Sequence, residues 1–301
     1  TKVPGTTAIQ GTLNTGEPDT IKARGKTTFD GGVSDGTYGL ATMDLKRGNL
    51  TAEKSWFFFD STYVALGTAI TLDQDGQQDV ATDVNQTLLR GDVVTSESKA
   101  PLAQGSYSYN TSHVVWIYHD HAGYIFPPDT KLNLSIGPQT GKWSDIGTGP
   151  DTSVTRNVFD VWIDNGTTPQ DERYQYIVTP NTTPEGVAQR AKDSGLDILS
   201  NSGAMQAVYN RRLKLAEIVY RQPSYIKTPL GIVRADHACL LLVHRTANGL
   251  RLTASDPEDL PLTLTITVDG KPYTLELPGS GMAGSSVSRE VPAAPASGSD
   301  Q

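Results

Sequence analysis

Short apolar segments separated by turn residues are the feature of this sequence that most constrains its fold. Residues 262–268, Leu-Thr-Leu-Thr-Ile-Thr-Val, alternate apolar and polar side chains with a period of two, the pattern of a strand with one buried face. Segments of similar length recur along the chain, and the 29 glycines and 18 prolines supply turns between them. The pattern predicts an all-β protein with large antiparallel sheets, because the sequence does not alternate strands with long helices.

We predict two series of strands with one short helix between them. The helix is predicted over residues 183–193, because Thr183 can cap it, Pro184 suits its first turn and Glu185 follows. The strands predicted before it are 55–60, 63–67, 81–89, 113–118, 123–126, 131–136, 158–164 and 174–179. Those predicted after it are 196–199, 204–209, 213–220, 231–235, 239–244, 250–254, 262–268 and 271–277.

The helix marks a predicted domain boundary near residue 196. A large antiparallel β-sandwich is expected over residues 1–196, with an extended N-terminal lead-in of about 35 residues. A smaller antiparallel β-sandwich is expected over residues 197–291. The remaining residues, 292–301, are rich in Pro, Ala, Ser and Gly, a composition typical of a disordered tail.

Charge and hydrophobicity exclude several classes of protein. The formal net charge of −8 argues against nucleic-acid binding and against adhesion to anionic membranes. No run of about 18 apolar residues is present, so no membrane span is predicted. The single cysteine, Cys239, lies in an apolar run, which favours burial over catalysis. The chain starts at Thr1 without methionine, from which we expect a processed or truncated start.

Three motifs have a catalytic or metal-binding alternative. The segment Gly32-Val-Ser-Asp-Gly36 fits a nucleophile elbow at Ser34, but no helical pattern follows it, so we favour a glycine-rich turn. His119 and His121 could share one face of a strand, yet two ligands do not make a metal site, and we favour hydrogen-bonded histidines at a strand end. Asp73, Asp75 and Asp79 could bind a structural calcium ion, but Gln78 stands where an EF-hand loop needs glycine, so we favour an acidic hairpin turn.

Several segments together resemble polysaccharide lyase family 8, which includes hyaluronate lyases, chondroitin AC lyases and xanthan lyases. Two of them are Phe29-Asp-Gly-Gly-Val-Ser-Asp-Gly36 and Lys54-Ser-Trp-Phe-Phe-Phe-Asp60. Their order and spacing extend to about residue 290. The full set comprises residues 3–7, 29–39, 43–45, 54–60, 64–67, 119–126, 141–146, 174–178, 198–201 and 206–208.

The resemblance implies that this chain is part of a longer protein whose catalytic residues lie in another domain. Family members have an N-terminal α/α toroid, then a large β-sandwich (supersandwich) and a smaller β-sandwich, and this chain resembles only the two β parts. The family's catalytic asparagine, histidine, tyrosine and arginine lie on the toroid, and no segment here matches them. We therefore expect no catalytic residue in this chain, no cofactor, and no activity without the toroid partner.

Some family members also place a helpful glutamate in the early loop of the β region. That position falls near Ala23 here, and Glu17 is the candidate replacement. Lys22, Arg24 and Lys26 form a basic cluster that either is solvated or contacts substrate carboxylates. Trp143 is the tryptophan expected to be exposed. The predicted function is the β-sandwich portion of a secreted, extracellular lyase that cleaves hyaluronan, chondroitin or xanthan by β-elimination; the alternative is a non-catalytic carbohydrate-binding or structural β module.

Overall fold

Antiparallel strands dominate the computed structural model of the chain, which describes residues 2–11, 25–73, 77–98, 100–145 and 148–292. The described part contains one α-helix, α1 (Pro184–Lys192), and two short 3-10 turns, Trp143–Asp145 and Ser280–Met282. The all-β prediction is confirmed.

The longest strands lie before the helix. They are β1 (Thr7–Ile9), β2 (Asp30–Ser34), β3 (Gly39–Arg47), β4 (Leu50–Phe59), β5 (Thr62–Leu72), β6 (Asp79–Leu88), β7 (Val93–Thr95), β8 (Gly105–Asn110), β9 (Val115–His119), β10 (Ala122–Phe126), β11 (Lys131–Lys142), β12 (Ser153–Thr167) and β13 (Glu172–Pro180). After α1 follow β14 (Leu196–Ser202), β15 (Met205–Asn210), β16 (Leu215–Tyr220), β17 (Ser224–Thr228), β18 (Gly231–Ala235), β19 (Cys239–Thr246), β20 (Gly249–Ser255), β21 (Leu262–Val268), β22 (Lys271–Leu277) and β23 (Val287–Pro292).

These strands form four sheets. Their orders are β1-β6-β12-β11-β8, β2-β3-β4-β5-β13-β10-β9-β7, β14-β15-β16-β19-β20-β23 and β17-β18-β21-β22. By contacts the chain divides into two compact units, and strands β3, β4 and β5 pass through both. The first unit is Thr1–Thr27, Leu45–Ala52 and Gly67–Ser194, and the second is Thr28–Asp44, Glu53–Leu66 and Gly195–Gln301. The predicted sequence boundary near residue 196 stays a prediction.

The core of the first unit lies between strands of the five-stranded and eight-stranded sheets. Phe159 of β12 is fully buried, and its ring stacks on Tyr124 of β10 with a centroid distance of 5.9 Å. Each large apolar side chain buried in this way contributes about 1.5–3 kcal/mol. The lead-in adds β1 to the edge of the five-stranded sheet, where Ala8 pairs with Ala81.

Helix α1 forms where the sequence predicts it. The Thr183 hydroxyl accepts a hydrogen bond from the Gly186 amide at 3.1 Å, which satisfies one of the free amides of the first turn. Val187 is its buried side chain and packs over Gly123 of β10. A Cβ at Gly123 would lie 2.5 Å from Val187 Cγ2, so glycine lets the helix approach the sheet.

The central strands of the six-stranded sheet of the second unit are buried on both faces. Ala216, Ile218 and Tyr220 of β16 point into a core shared with the four-stranded sheet. The alternate residues Leu215, Glu217 and Val219 are equally buried. That second face is covered by the early segments of the same unit: Ser55 Oγ donates to Gln206 Oε1 at 2.6 Å, and Ser255 Oγ donates to the Gly32 carbonyl at 2.9 Å.

Several details differ from the sequence predictions. Strands β1, β2, β7, β8, β17 and β23 were not predicted, and β11 and β12 extend well past their predicted ends. Cys239 is buried as predicted. The strand signals around Trp56, Trp116 and Trp162 predict that most of these tryptophans are core residues, but all three are half-buried, because each lies on a strand face that is only partly covered.

The predicted tail, apart from Pro292 of β23, lies outside the described residues. Within the residues that the structure describes, no helix has the length and apolar character needed to cross a bilayer.

Candidate functional site

The basic cluster of the early loop is described only in part. Lys26 is exposed and lies in irregular chain before β2. Glu17, Lys22 and Arg24 lie outside the described residues. Their contacts with a substrate therefore stay predictions.

Three residues after Lys26, Phe29 belongs to a cluster of charged and aromatic side chains that anchors the chain. The cluster consists of Phe29, Asp44, Glu53 and Arg221 and is here called the Arg221 cluster. The Arg221 side chain is 7 % exposed; it pairs with Asp44 and lies 3.1 Å from Glu53 Oε2. Its Cζ is 4.6 Å from the centre of the Phe29 ring, within the range of a cation–π contact. Burial raises the pKa of Asp44, and the Arg221 charge opposes this rise. These contacts fix the start of the segment that enters β2.

Ser34 is the last residue of β2, at the start of the hairpin turn to β3. Its Oγ donates to the Tyr38 carbonyl and accepts from the Gly36 amide, both at 3.0 Å. A nucleophile elbow requires a helix directly after the serine, and here β3 follows. The serine-hydrolase alternative is therefore wrong, and the turn interpretation is confirmed.

The two histidines near residue 120 do not share a strand face. His119 ends β9 and is buried; its Nε2 accepts a hydrogen bond from the Arg90 amide at 3.0 Å, and its ring stacks on Phe159 at 4.3 Å. Burial lowers the pKa of His119, which favours the neutral ring. His121 lies in the following turn with φ of 63° and is exposed. Across the described residues, no three His, Cys, Asp or Glu side chains converge as metal ligands.

The acidic segment 73–79 connects two sheets. Its preceding strand β5 belongs to the eight-stranded sheet and its following strand β6 to the five-stranded sheet. The hairpin interpretation is therefore wrong, because turn-forming composition does not distinguish a hairpin from a crossing between sheets. Asp79 accepts a hydrogen bond from Thr167 Oγ1 at 2.5 Å, Asp73 is exposed, and Asp75 lies outside the described residues. Calcium binding stays a prediction.

Trp143 is exposed, as predicted, with 60 % of its surface accessible. It begins the 3-10 turn between the long strands β11 and β12. Asp151 Oδ1 accepts from Ser144 Oγ at 2.8 Å and from Lys142 Nζ at 3.0 Å, and these contacts lower the pKa of Asp151. Gly149 packs against the tryptophan, since a Cβ there would lie 2.4 Å from Trp143 Cβ. The loop thus holds an indole ring in solvent, where it can stack on a sugar ring.

Glu217 is a buried acid that the sequence analysis did not identify. Its side chain on β16 is inaccessible to solvent. Burial raises its pKa well above the ordinary value, and the charge of Asp35 adds to the rise. No cation pairs with Glu217 among the described residues. Because solvent and substrate cannot reach this carboxyl, its role is structural.

Two family models match the chain in succession. The model described as "Polysaccharide lyase family 8, super-sandwich domain" matches residues 1–191, and "Polysaccharide lyase family 8, C-terminal beta-sandwich domain" matches residues 197–265. The chain belongs to polysaccharide lyase family 8. The supersandwich and the smaller sandwich predicted from the sequence are both confirmed.

Relatives of this family 8 chain include lyases with several named activities. Chondroitinase AC of Pedobacter heparinus is 28% identical over 246 residues, which is 81% of this chain and 35% of the relative. Xanthan lyase of Bacillus sp. (strain GL1) is 33% identical over 193 residues, covering 60% of this chain and 21% of the relative. A solved structure of a chondroitinase AC lyase aligns with a TM-score of 0.80 at 29% identity, over 87% of this chain and 40% of that one. The chain thus spans about a third of the length of the chondroitinase AC relative.

Proposed function

We propose that this family 8 chain is the β-sandwich portion of a longer, secreted lyase that cleaves an acidic polysaccharide by β-elimination. The observation that carries the proposal is the succession of the two family 8 domains along the chain. The relatives support the substrate class, because they are named chondroitinase AC, xanthan lyase and hyaluronate lyase. Hyaluronan, chondroitin and xanthan are the three candidate substrates.

In this proposal the reactive groups belong to an α/α toroid that precedes the β domains. The elimination removes the weakly acidic C5 proton of a uronate residue. Hydrogen bonds from asparagine and histidine neutralise the adjacent carboxylate and stabilise the enolate-like intermediate. A tyrosine serves first as base and then as acid toward the leaving oxygen.

The reactive side chains described in this chain fit a supporting role. His119 is buried against Phe159, Glu217 is sealed inside the second unit, and Ser34 bonds within its own turn. Burial keeps His119 and Glu217 away from a substrate, whereas Ser34 is exposed and its hydroxyl is hydrogen-bonded only to the backbone of its own turn. The chain instead contributes binding groups: Trp143 for stacking, and Lys26, with Lys22 and Arg24, for substrate carboxylates.

The test compares the 301-residue chain with a polypeptide that also carries the toroid. Each is incubated with hyaluronan, chondroitin and xanthan, and the ultraviolet absorbance of the unsaturated uronate product is followed. We expect product from the longer polypeptide with at least one substrate and none from the 301-residue chain. Elimination by the 301-residue chain alone would refute the assignment of the reactive groups to the toroid.

A second candidate function is a non-catalytic carbohydrate-binding or structural β module. The exposed Trp143 favours it, since such a ring binds sugars without chemistry. This candidate predicts polysaccharide binding by both polypeptides and elimination by neither. Export is tested by producing the longer polypeptide in bacterial cells and assaying the culture medium and the cell pellet for it. Retention in the pellet would count against secretion.

A further inference from the structure

The four-stranded sheet of the second unit has an outer face with an unusual composition. Its inner side chains, among them Val233 and Ile266, pack in the buried core. On the outer face, Tyr225 is 59 % exposed and Ile232 is 49 % exposed, while Lys227 and Arg234 are also exposed. The face therefore combines an aromatic ring with two cations.

Four outer residues form a straight row across all four strands. The strand register pairs Tyr225 with Arg234, Arg234 with Thr267, and Thr267 with Pro272. Three strand spacings give the row a length of about 14 Å. Lys227 and Ile232 form the neighbouring pair along β17 and β18. We call these six residues the outer row.

The charged groups of the outer row are available to a ligand. The Arg234 guanidinium carbon lies 5.2 Å from the centre of the Tyr225 ring, so the ring helps to hold it in place. None of the ion pairs in the described part of the chain involves Lys227 or Arg234. Two uncommitted cations therefore lie side by side on a chain whose net charge is −8.

Three acidic residues lie beside this positive region. Asp269 accepts a hydrogen bond from the Ile232 amide at 2.8 Å, Asp236 accepts one from the Thr265 amide at 2.9 Å, and Glu276 accepts one from Thr263 at 2.7 Å. Each acid is thus engaged within the sheet, beside the outer row rather than in it. Protection of an edge strand explains a lysine on β17, but it does not explain an exposed tyrosine and isoleucine beside it.

We propose that the outer row binds a stretch of anionic polysaccharide. Arg234 offers two parallel N–H donors to a carboxylate or sulfate group, and Lys227 adds a second positive charge. Tyr225 offers an apolar ring face and a hydroxyl to the sugar, and Thr267 offers a further hydroxyl. The choice of a polysaccharide among possible polyanions rests on the proposed function. The outer row binds the polymer and takes no part in its cleavage.

The test measures the affinity of the 301-residue chain for polysaccharide by electrophoresis in gels that contain hyaluronan, chondroitin sulfate or neutral dextran. We expect retardation by the anionic polymers that weakens as salt is added, and none by dextran. Tyr225→Ala and Arg234→Ala should each weaken binding about tenfold. Arg234→Lys should bind with intermediate affinity, because it keeps the charge but loses the paired donors.

Matched controls are Leu260→Ala and Arg173→Ala, since both side chains are exposed and lie outside the outer row. They should bind like the unaltered chain, and all variants should keep its melting temperature. Absence of retardation at low salt, or binding by Tyr225→Ala and Arg234→Ala that is as tight as binding by the unaltered chain, would overturn the proposal. Binding is read here without catalysis, so loss of elimination in the longer polypeptide refutes the proposed lyase function separately and leaves this result standing.

Discussion

Replacing Glu217 with glutamine should stabilise the protein at neutral pH. The Glu217 carboxyl is fully buried, has no cationic partner among the described residues and faces the Phe58 backbone. Burial raises its pKa in the folded state, so the folded protein holds a proton that the unfolded chain releases. Glutamine has nearly the same shape and needs no proton, so the substitution removes this cost.

The size of the effect follows from proton linkage. A raised folded pKa means that Glu217 costs nothing below the ordinary carboxyl pKa of 4.5 and destabilises the fold increasingly as the pH rises above it. The cost grows by about 1.4 kcal/mol for each pH unit while the folded carboxyl stays protonated. The advantage of Glu217→Gln should therefore grow as the pH rises from 5 towards neutral, by at most about 1.4 kcal/mol for each pH unit.

The assay is urea unfolding at pH 5, 6, 7 and 8, with the free energy of unfolding compared between the unaltered chain and Glu217→Gln. The matched control is Glu276→Gln, an exposed glutamate in the same unit. Its effect should stay within about 0.5 kcal/mol at every pH. A Glu217→Gln effect that is destabilising at pH 7, or that does not change with pH, would refute the burial of an unpaired carboxyl.

Three further substitutions test other features. Arg221→Ala should lower the free energy of unfolding by about 3 kcal/mol, since it leaves two partly buried carboxylates without that cation; a loss below about 0.5 kcal/mol would contradict this. Gly123→Ala should cost about 1–3 kcal/mol by clashing with Val187, and Val187→Ala in the same chain should recover part of that loss, which a double-mutant cycle measures; strict additivity would exclude the clash. If the proposed lyase function holds, Trp143→Ala in the longer polypeptide should raise KM with little change in kcat or melting temperature; an unchanged KM would exclude sugar stacking there.

Local signals in the sequence predicted the positions of many elements. Strand β21 spans the alternating residues 262–268, and α1 begins directly after its predicted cap, Thr183. Both signals depend on neighbouring residues only. The connection from β5 to β6 was misassigned because the partner strands, which lie far away in sequence, decide whether a turn closes a hairpin. Strand β17 was missed because the alternation of residues 224–228 is one of burial in the folded structure, which the sequence Ser-Tyr-Ile-Lys-Thr does not display.

The candidate site shows the same limit. The exposure of Trp143 could be predicted from its glycine-rich and polar neighbours. The Arg221 cluster could not, because Asp44 and Arg221 are 177 residues apart and meet only in the folded sheet pair. Glu217 did leave a signal, since it is an acid within the otherwise apolar strand 215–220. An isolated acid in such a run indicates a second covered face of the sheet.

The double burial of the six-stranded sheet has a consequence for biosynthesis. The covering segments 28–44 and 53–66 leave the ribosome long before strands β14 to β23 exist. Because translation adds ~5–20 residues per second, the apolar side of these segments stays uncovered for on the order of ten seconds before the strands of the six-stranded sheet are synthesised. The nascent polypeptide therefore exposes an apolar surface during translation. A truncation near residue 196 would leave this surface without its packing partner, and the truncated protein would be prone to aggregate.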